Sequence, residues 1–403
     1  MIRGYIDRDR IEPDSCNGDT ENDERPSFYS CLARITEAMT PKTEAMIPPA
    51  SPIIGEEERH AVELVMKSGT LAQGPEVASF EIEFEDAVDG RECVAVNSGT
   101  SALLLALIAL GIRAGDDVIV PSFTFAATAN AVRLAGGNPV FVDIEPSTFC
   151  IDPDRIQDAL TERTRAIIPV HLYGHPADMT RIGAVAAKHG LIVVEDAAQA
   201  HLAQWHGKRV GSFGDAGCFS FYPTKNMTAG EGGMVSVARS SIAHQVRLLR
   251  NQGMERRYQN EVVGFNNRMS DIHAAIGRVQ LRRLHMWTLR RQEIAALFDA
   301  ELVNVVKPKV SELATHVYHQ YTIRIPDGRR DEFATELADR GVGSGIYYPI
   351  PVHLLPSFGE ELDLPQTMQA ASEVLSLPVH PSLSERDIER IVNAVNDVAC
   401  AGS

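Results

Sequence analysis

Cys93-Val94-Ala95-Val96-Asn97-Ser98-Gly99-Thr100-Ser101-Ala102-Leu103 decides the fold. Four apolar residues read as a buried strand, small polar residues follow, and an apolar run from Ala102 to Ile112 continues as a helix. Strand patterns recur at Asp117-Val118-Ile119-Val120, Pro139-Val140-Phe141-Val142, Ala166-Ile167-Ile168-Pro169-Val170 and Leu191-Ile192-Val193-Val194. Helical patterning at Ser101 to Leu110 and Thr180 to His189 separates them. Short apolar strands alternating with helices predict an α/β fold, a mainly parallel sheet covered on both faces, with ligands at the strand carboxyl ends. Further on, a helix from Ser270 to about Ala300 leads to a smaller α+β part. That part has a strand at Tyr318 to Ile325, a helix at Asp331 to Arg340 and a last helix at Glu385 to Val398. The expected domains are a disordered tail over 1–48, a large cofactor-binding domain over 49–290 and a small C-terminal domain over 291–403.

The tail is rich in acidic and polar residues, as in Asp19-Thr20-Glu21-Asn22-Asp23-Glu24-Arg25. Met46, just before regular patterning begins at Ile53, is the expected translation start. Across the chain, 38 Lys+Arg face 54 Asp+Glu for a formal charge of −16, which argues against a broad basic footprint for nucleic acid or anionic membrane. Six scattered cysteines offer no C-x-x-C pair for zinc or redox work, so no metal site is expected and a reducing, cytoplasmic setting fits. The run from Ala102 to Ile112 is far short of the roughly 20 residues that span a bilayer.

Three segments carry chemistry. Ser98-Gly99-Thr100-Ser101 opens a helix, where free N–H groups, hydroxyls and the positive dipole end receive a phosphate; taken alone it is an ordinary N-cap. Val194-Glu195-Asp196-Ala197-Ala198-Gln199 sets an acid at the end of a buried strand, where it wants a cationic partner. Asp196 suits a pyridinium nitrogen or, taken singly, a cap for the next helix, and Gln199 the ring beside it, while Glu195, next to Asp196 on a strand, faces the other way. Ser220-Phe221-Tyr222-Pro223-Thr224-Lys225-Asn226, followed by Ala229-Gly230-Glu231-Gly232-Gly233, holds a lysine on a tight loop among small residues, a poor setting for a solvated surface charge. Together they point to pyridoxal phosphate (PLP), with Lys225 as the group that joins the aldehyde and shuttles the proton. Phe123 and Phe125 follow a strand end, and either suits stacking on the ring or a place in the core.

With these residues placed, the chain resembles the DegT/DnrJ/EryC1/StrS family of PLP-dependent sugar aminotransferases, of fold-type I architecture, from about Ile53 to the last helix. Further strings carrying the resemblance are Gly74-Pro75-Glu76-Val77, Pro121-Ser122-Phe123-Thr124-Phe125, His171-Leu172-Tyr173-Gly174, Gly264-Phe265-Asn266-Asn267-Arg268-Met269 and Tyr348-Pro349-Ile350-Pro351-Val352-His353. The resemblance implies Lys225 as the Schiff-base lysine, Asp196 as the pyridinium partner, Gln199 beside the ring and Phe125 as the stacking aromatic. It implies Gly99, Thr100 and Ser220 at the phosphate, and Asn266 reaching the phosphate of a neighbouring subunit in a homodimer with shared active sites. Tyr348 and His353 match the segment lining the sugar-nucleotide pocket. Related sugar dehydratases carry histidine in place of the lysine, so Lys225 implies transamination.

The expected activity is transfer of an amino group from an amino acid, by resemblance L-glutamate, to a keto group of a nucleotide-linked sugar. Arg250, Arg256, Arg257 and Arg268 are candidates for the substrate's diphosphate, with surface or interface ion pairs the commoner fate of such arginines. Two residues depart from the family pattern: Leu202, where glycine is common, and Tyr347, where histidine is frequent. Rival readings are a keto-cyclitol aminotransferase and a non-catalytic PLP-binding sensor. Gly341-Val342-Gly343-Ser344-Gly345 lacks the spacing of a dinucleotide loop and reads as a turn.

Overall fold

The structure is a computed structural model that describes residues 45–401. The expected tail lies outside these apart from its last four residues. One of them, Ile47, is buried and pairs with Val342, exchanging backbone hydrogen bonds with Gly341 and Gly343.

A seven-stranded sheet organises the chain: β1 (Glu92–Val96), β2 (Asp117–Pro121), β3 (Asn138–Val142), β4 (Thr164–Ile167), β5 (Ile192–Asp196), β6 (Ala216–Ser220) and β7 (Gly233–Val237). Their spatial order is β1-β7-β6-β5-β4-β2-β3. Only β7 runs against the others, pairing antiparallel with both β6 and β1. The expected strand through Val170 stops at Ile167, consistent with Pro169 having no N–H to donate. Val170 then pairs once more, with Asp196. Strands β6 and β7 were not expected: Ala216-Gly217-Cys218-Phe219-Ser220 has no apolar run, yet every residue of it is buried.

Helix α1 (Glu56–Ser68) and helix α2 (Pro75–Glu85) precede the sheet, and α3 (Gly99–Ala109) follows β1. Six consecutive residues of α3, Ala102 to Leu107, are buried, as expected of a helix that is apolar all round. Helix α4 (Ala127–Leu134) follows β2.

The longest element, α5 (Asp271–Glu301), has 31 residues and crosses the expected domain boundary. Its first turn serves the large layer, where the Asp271 carboxylate accepts from the N–H groups of Gly74, Glu76 and Val77 and caps α2. Its last turns supply Ile294, Ala295 and Phe298 to a separate core with Tyr321, Phe333, Leu377 and Val395. That core lies over a two-stranded pair, β8 (Tyr321–Arg324) and β9 (Val374–Leu377), with α6 (Arg330–Asp339) and α7 (Glu385–Ala401). Strand β8 is shorter than expected because Tyr318 takes a left-handed backbone (φ 44°) and the Gln320 N–H bonds the Tyr173 carbonyl instead of a sheet neighbour.

Candidate active site

The carboxyl ends of β5 and β6, the start of α3 and the segments around Gln320 and Tyr348 enclose a cavity of about 550 Å³. Lys225, Asp196, Gln199, Gly99, Thr100, Ser220, Phe125 and Tyr348 all line it. Residues far apart in sequence and proposed from separate motifs thus share one space.

Lys225 stands on the long turn between β6 and β7, its N–H bonded to the Tyr222 carbonyl at 2.9 Å. The turn is pinned behind it by Phe221, whose carbonyl accepts from Ala229 N–H and the Thr228 hydroxyl. Burial pushes the Lys225 amine down to about 8, against the pull of the Asp196 charge, so the nucleophilic free amine is accessible near neutral pH. His201 packs on Phe219 and Phe221 and is held neutral by burial and by Lys225, its pKa brought down to about 3.

Asp196 ends β5 almost fully buried, and burial raises its pKa. It accepts from the Thr128 hydroxyl at 2.8 Å and from Ala198 N–H at 3.2 Å. Glu195 faces away, as alternation requires: its carboxylate takes the N–H groups of Gly211, Phe213 and Gly214 at 2.7 to 2.8 Å and His171 Nε2 at 3.0 Å. Gln199 is fixed at both ends, accepting from Tyr173 N–H and donating to the Tyr348 hydroxyl at 3.0 Å.

The start of α3 forms the other wall. Ser98 caps it by accepting from Ser101 N–H at 3.1 Å, and the N–H groups of Gly99 and Thr100 bond no atom among the described residues. A Cβ on Gly99 would lie 2.7 Å from the Ser220 Cβ, and one on Gly233 2.4 Å from the Ser98 carbonyl oxygen. Bare backbone here leaves a cradle that any side chain would fill. The two phenylalanines separate: Phe123 is wholly buried in the core, whereas Phe125 is 59% exposed in the cavity with its ring 6.0 Å from that of Tyr348.

Two residues expected at this cavity, His353 and Arg268, are not brought to it, and Asn266, expected to reach the phosphate of a neighbouring subunit, also lies outside it. His353 is completely buried, its Nδ1 2.5 Å from the Ser122 hydroxyl and its ring against Phe141, so it supports the wall from behind and cannot touch a substrate. Arg268 donates to Asn251 Oδ1 at 2.8 Å while its backbone pairs with Val96. Asn266 is exposed and pairs with Asn251. Arg250 is also corrected: it is buried against Glu81 and the Ala95 carbonyl, a structural ion pair. Conversely, His319, Gln320, Thr124, Glu231 and Tyr347 line the cavity without having been proposed as ligands. The signal for His319 and Gln320 was present: two polar side chains just before the strand that begins at Tyr321.

A model of the DegT/DnrJ/EryC1/StrS aminotransferase family matches residues 52–396. The chain belongs to this family. A curated relative from Acidithiobacillus ferrooxidans, UDP-N-acetyl-3-dehydro-alpha-D-glucosamine 3-aminotransferase, is 45% identical over 82% of this chain and 90% of its own. The dTDP-3-amino-3,4,6-trideoxy-alpha-D-glucose transaminase of Streptomyces venezuelae is 41% identical over 84% and 91%. Among solved structures, the PLP form of a Streptococcus pneumoniae chain described as a sugar aminotransferase superposes with a TM-score of 0.85 at 28% identity, covering 88% of this chain and 99% of that one. This DegT/DnrJ/EryC1/StrS member is therefore a PLP-dependent aminotransferase of mainly parallel α/β architecture. Its departure at Leu202 has a physical cost: Leu202 is left-handed (φ 67°), the conformation that favours glycine. Among the described residues, no helix is long and apolar enough to cross a membrane, and no group of three or more His, Cys, Asp or Glu is placed to hold a metal ion.

Proposed function

We propose that this aminotransferase moves nitrogen from an amino acid, L-glutamate by resemblance, to the keto carbon of a nucleotide-linked sugar, with Lys225 as the proton carrier. The observation that carries this reading is the pairing, on one cavity, of a half-buried lysine brought down to about 8 with a buried carboxylate that has only two donors. PLP fits the residues present: Lys225 would hold its aldehyde, Asp196 its ring nitrogen, and Gly99, Thr100 and Ser220 its phosphate, with Phe125 and Gln199 beside the ring. When bound, it supplies an electron-withdrawing ring that makes the donor's α-proton acidic.

The protein's own work is then positional. Asp196, kept from water, finds in a cation the partner that its surroundings deny it. Lys225 takes the proton from the donor α-carbon and, in the second half-reaction, returns one to the sugar carbon that gains nitrogen. Tyr347 and Tyr348, on the cavity wall, frame the acceptor.

Lys225 is the only Lys or Arg on the cavity wall among the described residues, so a diphosphate needs cations from outside the chain's own site. A homodimer in which Asn266 and Arg268 of one copy serve the other would supply donors that their own chain leaves outside its cavity. The relatives named for UDP- and dTDP-linked sugars favour this acceptor class over keto-cyclitols. Incubation with glutamate and a panel of keto-sugar nucleotides and keto-cyclitols, read as 2-oxoglutarate release, is expected to show turnover with at least one nucleotide sugar. Turnover confined to cyclitols would overturn the substrate reading.

A further inference from the structure

His319 offers a basic nitrogen to the cavity that the roles above leave unused. The residue after Lys225 determines which one. Asn226 donates from Nδ2 to the Val317 carbonyl at 3.0 Å, which fixes the amide and turns its oxygen toward His319 Nδ1 at 3.2 Å. An amide oxygen only accepts, so Nδ1 bears the hydrogen and Nε2 the lone pair. Nε2 bonds no protein atom among the described residues. The ring's seat is rigid as well. Arg291, buried on α5, donates to the carbonyls of Tyr318 and His319 at 3.1 and 3.5 Å, and Gln292 donates to that of His316 at 2.9 Å.

The charges around the ring keep it neutral. Burial lowers its pKa far below the ordinary value, and Lys225, Arg291, His201 and His316 all act in the same direction. Asp196 and Glu231 are the carboxylates on the same cavity. A neutral imidazole accepts a hydrogen bond from an amine without removing its proton. Lys225 needs such a partner, because its amine turns freely about the last C–N bond, and only one orientation aims the lone pair at the substrate carbon.

We propose that the Lys225 amine turns to donate a hydrogen bond to His319 Nε2, the acceptor left open here, and so has its lone pair aimed during proton transfer, making His319 a positioning residue that acts through the lysine. The inference rests on Lys225 being the proton carrier.

The test compares wild type, His319→Leu and His319→Gln, whose amide oxygen replaces the Nε2 acceptor. Two quantities are measured: kcat and KM for donor and acceptor, and the titration of Lys225 in cofactor-free protein, followed by acylation at varied pH with the site located by peptide mass. With leucine, kcat is expected to fall about 10- to 100-fold at nearly constant KM. The Lys225 midpoint is expected to fall by about one pH unit, because a partner that stabilised the ammonium form is gone. Glutamine restores most of both. An altered acceptor KM with unchanged kcat would make His319 a substrate contact and overturn the proposal, as would a midpoint that does not move. Should the leucine chain not fold, Asn226→Ser, which frees the tautomer, is expected to move both readouts the same way by a smaller factor, and no movement there overturns the proposal equally. The lysine titration needs neither substrate nor cofactor, so wild type inactive on every acceptor would sink the function proposed above while leaving this arm decisive.

Discussion

Glu195 and Asp196 are neighbours on β5, both buried and both acidic, and they differ in how far their oxygens are satisfied. Glu195 has four donors, three of them backbone N–H groups of the 211–214 turn, and no contact with the cavity. His171 completes that set as a neutral donor, because its Nδ1 accepts from Ala177 N–H and leaves the hydrogen on Nε2. Asp196 has two donors and faces 550 Å³ of open space. A saturated buried carboxylate organises the fold, whereas an undersatisfied one is reserved for a ligand.

Substitutions can break or sharpen that contrast. The largest effect belongs to the lysine that shares the cavity with Asp196: Lys225→Ala is expected to lose more than about 1,000-fold in transamination. It should also lose the cofactor mass that borohydride fixes to the wild-type chain; retained turnover would remove the basis of the site. Next comes the structural acid. Glu195→Gln turns one oxygen into an NH₂ group facing two donors, which should cost about 3 kcal/mol in denaturant unfolding while the folded fraction keeps its specific activity. Asp196→Asn should do the reverse, lowering kcat about 100-fold with little change in unfolding. If both substitutions affected stability alone, the distinction between the two faces of β5 would fall.

The pH dependence is smaller. With the Lys225 amine brought down to about 8, its protonated form is lost as pH rises through that value. The acylation rate of Lys225 in cofactor-free protein should therefore climb about tenfold from pH 6 to 7 and flatten above about 9. A rate still climbing at pH 10 would mean that burial does not act on this amine. Smallest is Leu202→Gly. Relief of the left-handed backbone outweighs the flexibility gained by the unfolded chain, so a net gain of about 0.5 kcal/mol is expected in thermal or denaturant unfolding.

Much of this was legible in the sequence because the decisive signals are local. Apolar strands running into helices gave the sheet and the helix start at Gly99 and Thr100, and strand alternation alone separated Glu195 from Asp196. What escaped depended on distant partners. Arg250 pairs with Glu81, 169 positions away, and nothing near it in the chain marks it as buried. His353 is confined by Ser122, 231 positions away. Strand β6 hid behind its glycine and small residues, since its burial comes from flanking β5 and β7. Phe123 and Phe125 are identical in type and two apart; their different fates reflect where the chain turns after β2, which periodicity does not encode.

Helix α5 ties the two cores into one cooperative unit. A fragment ending near residue 290 would keep Asp271, and with it the cap on α2, yet it would shed Arg291, which clamps the His319 segment, and Phe298, which anchors the second core. The half of the protein that carries Lys225 thus depends on the other half for one wall of its own site. Domain dissection at that point should yield insoluble or inert material, and thermal melting of the intact chain should follow a single transition.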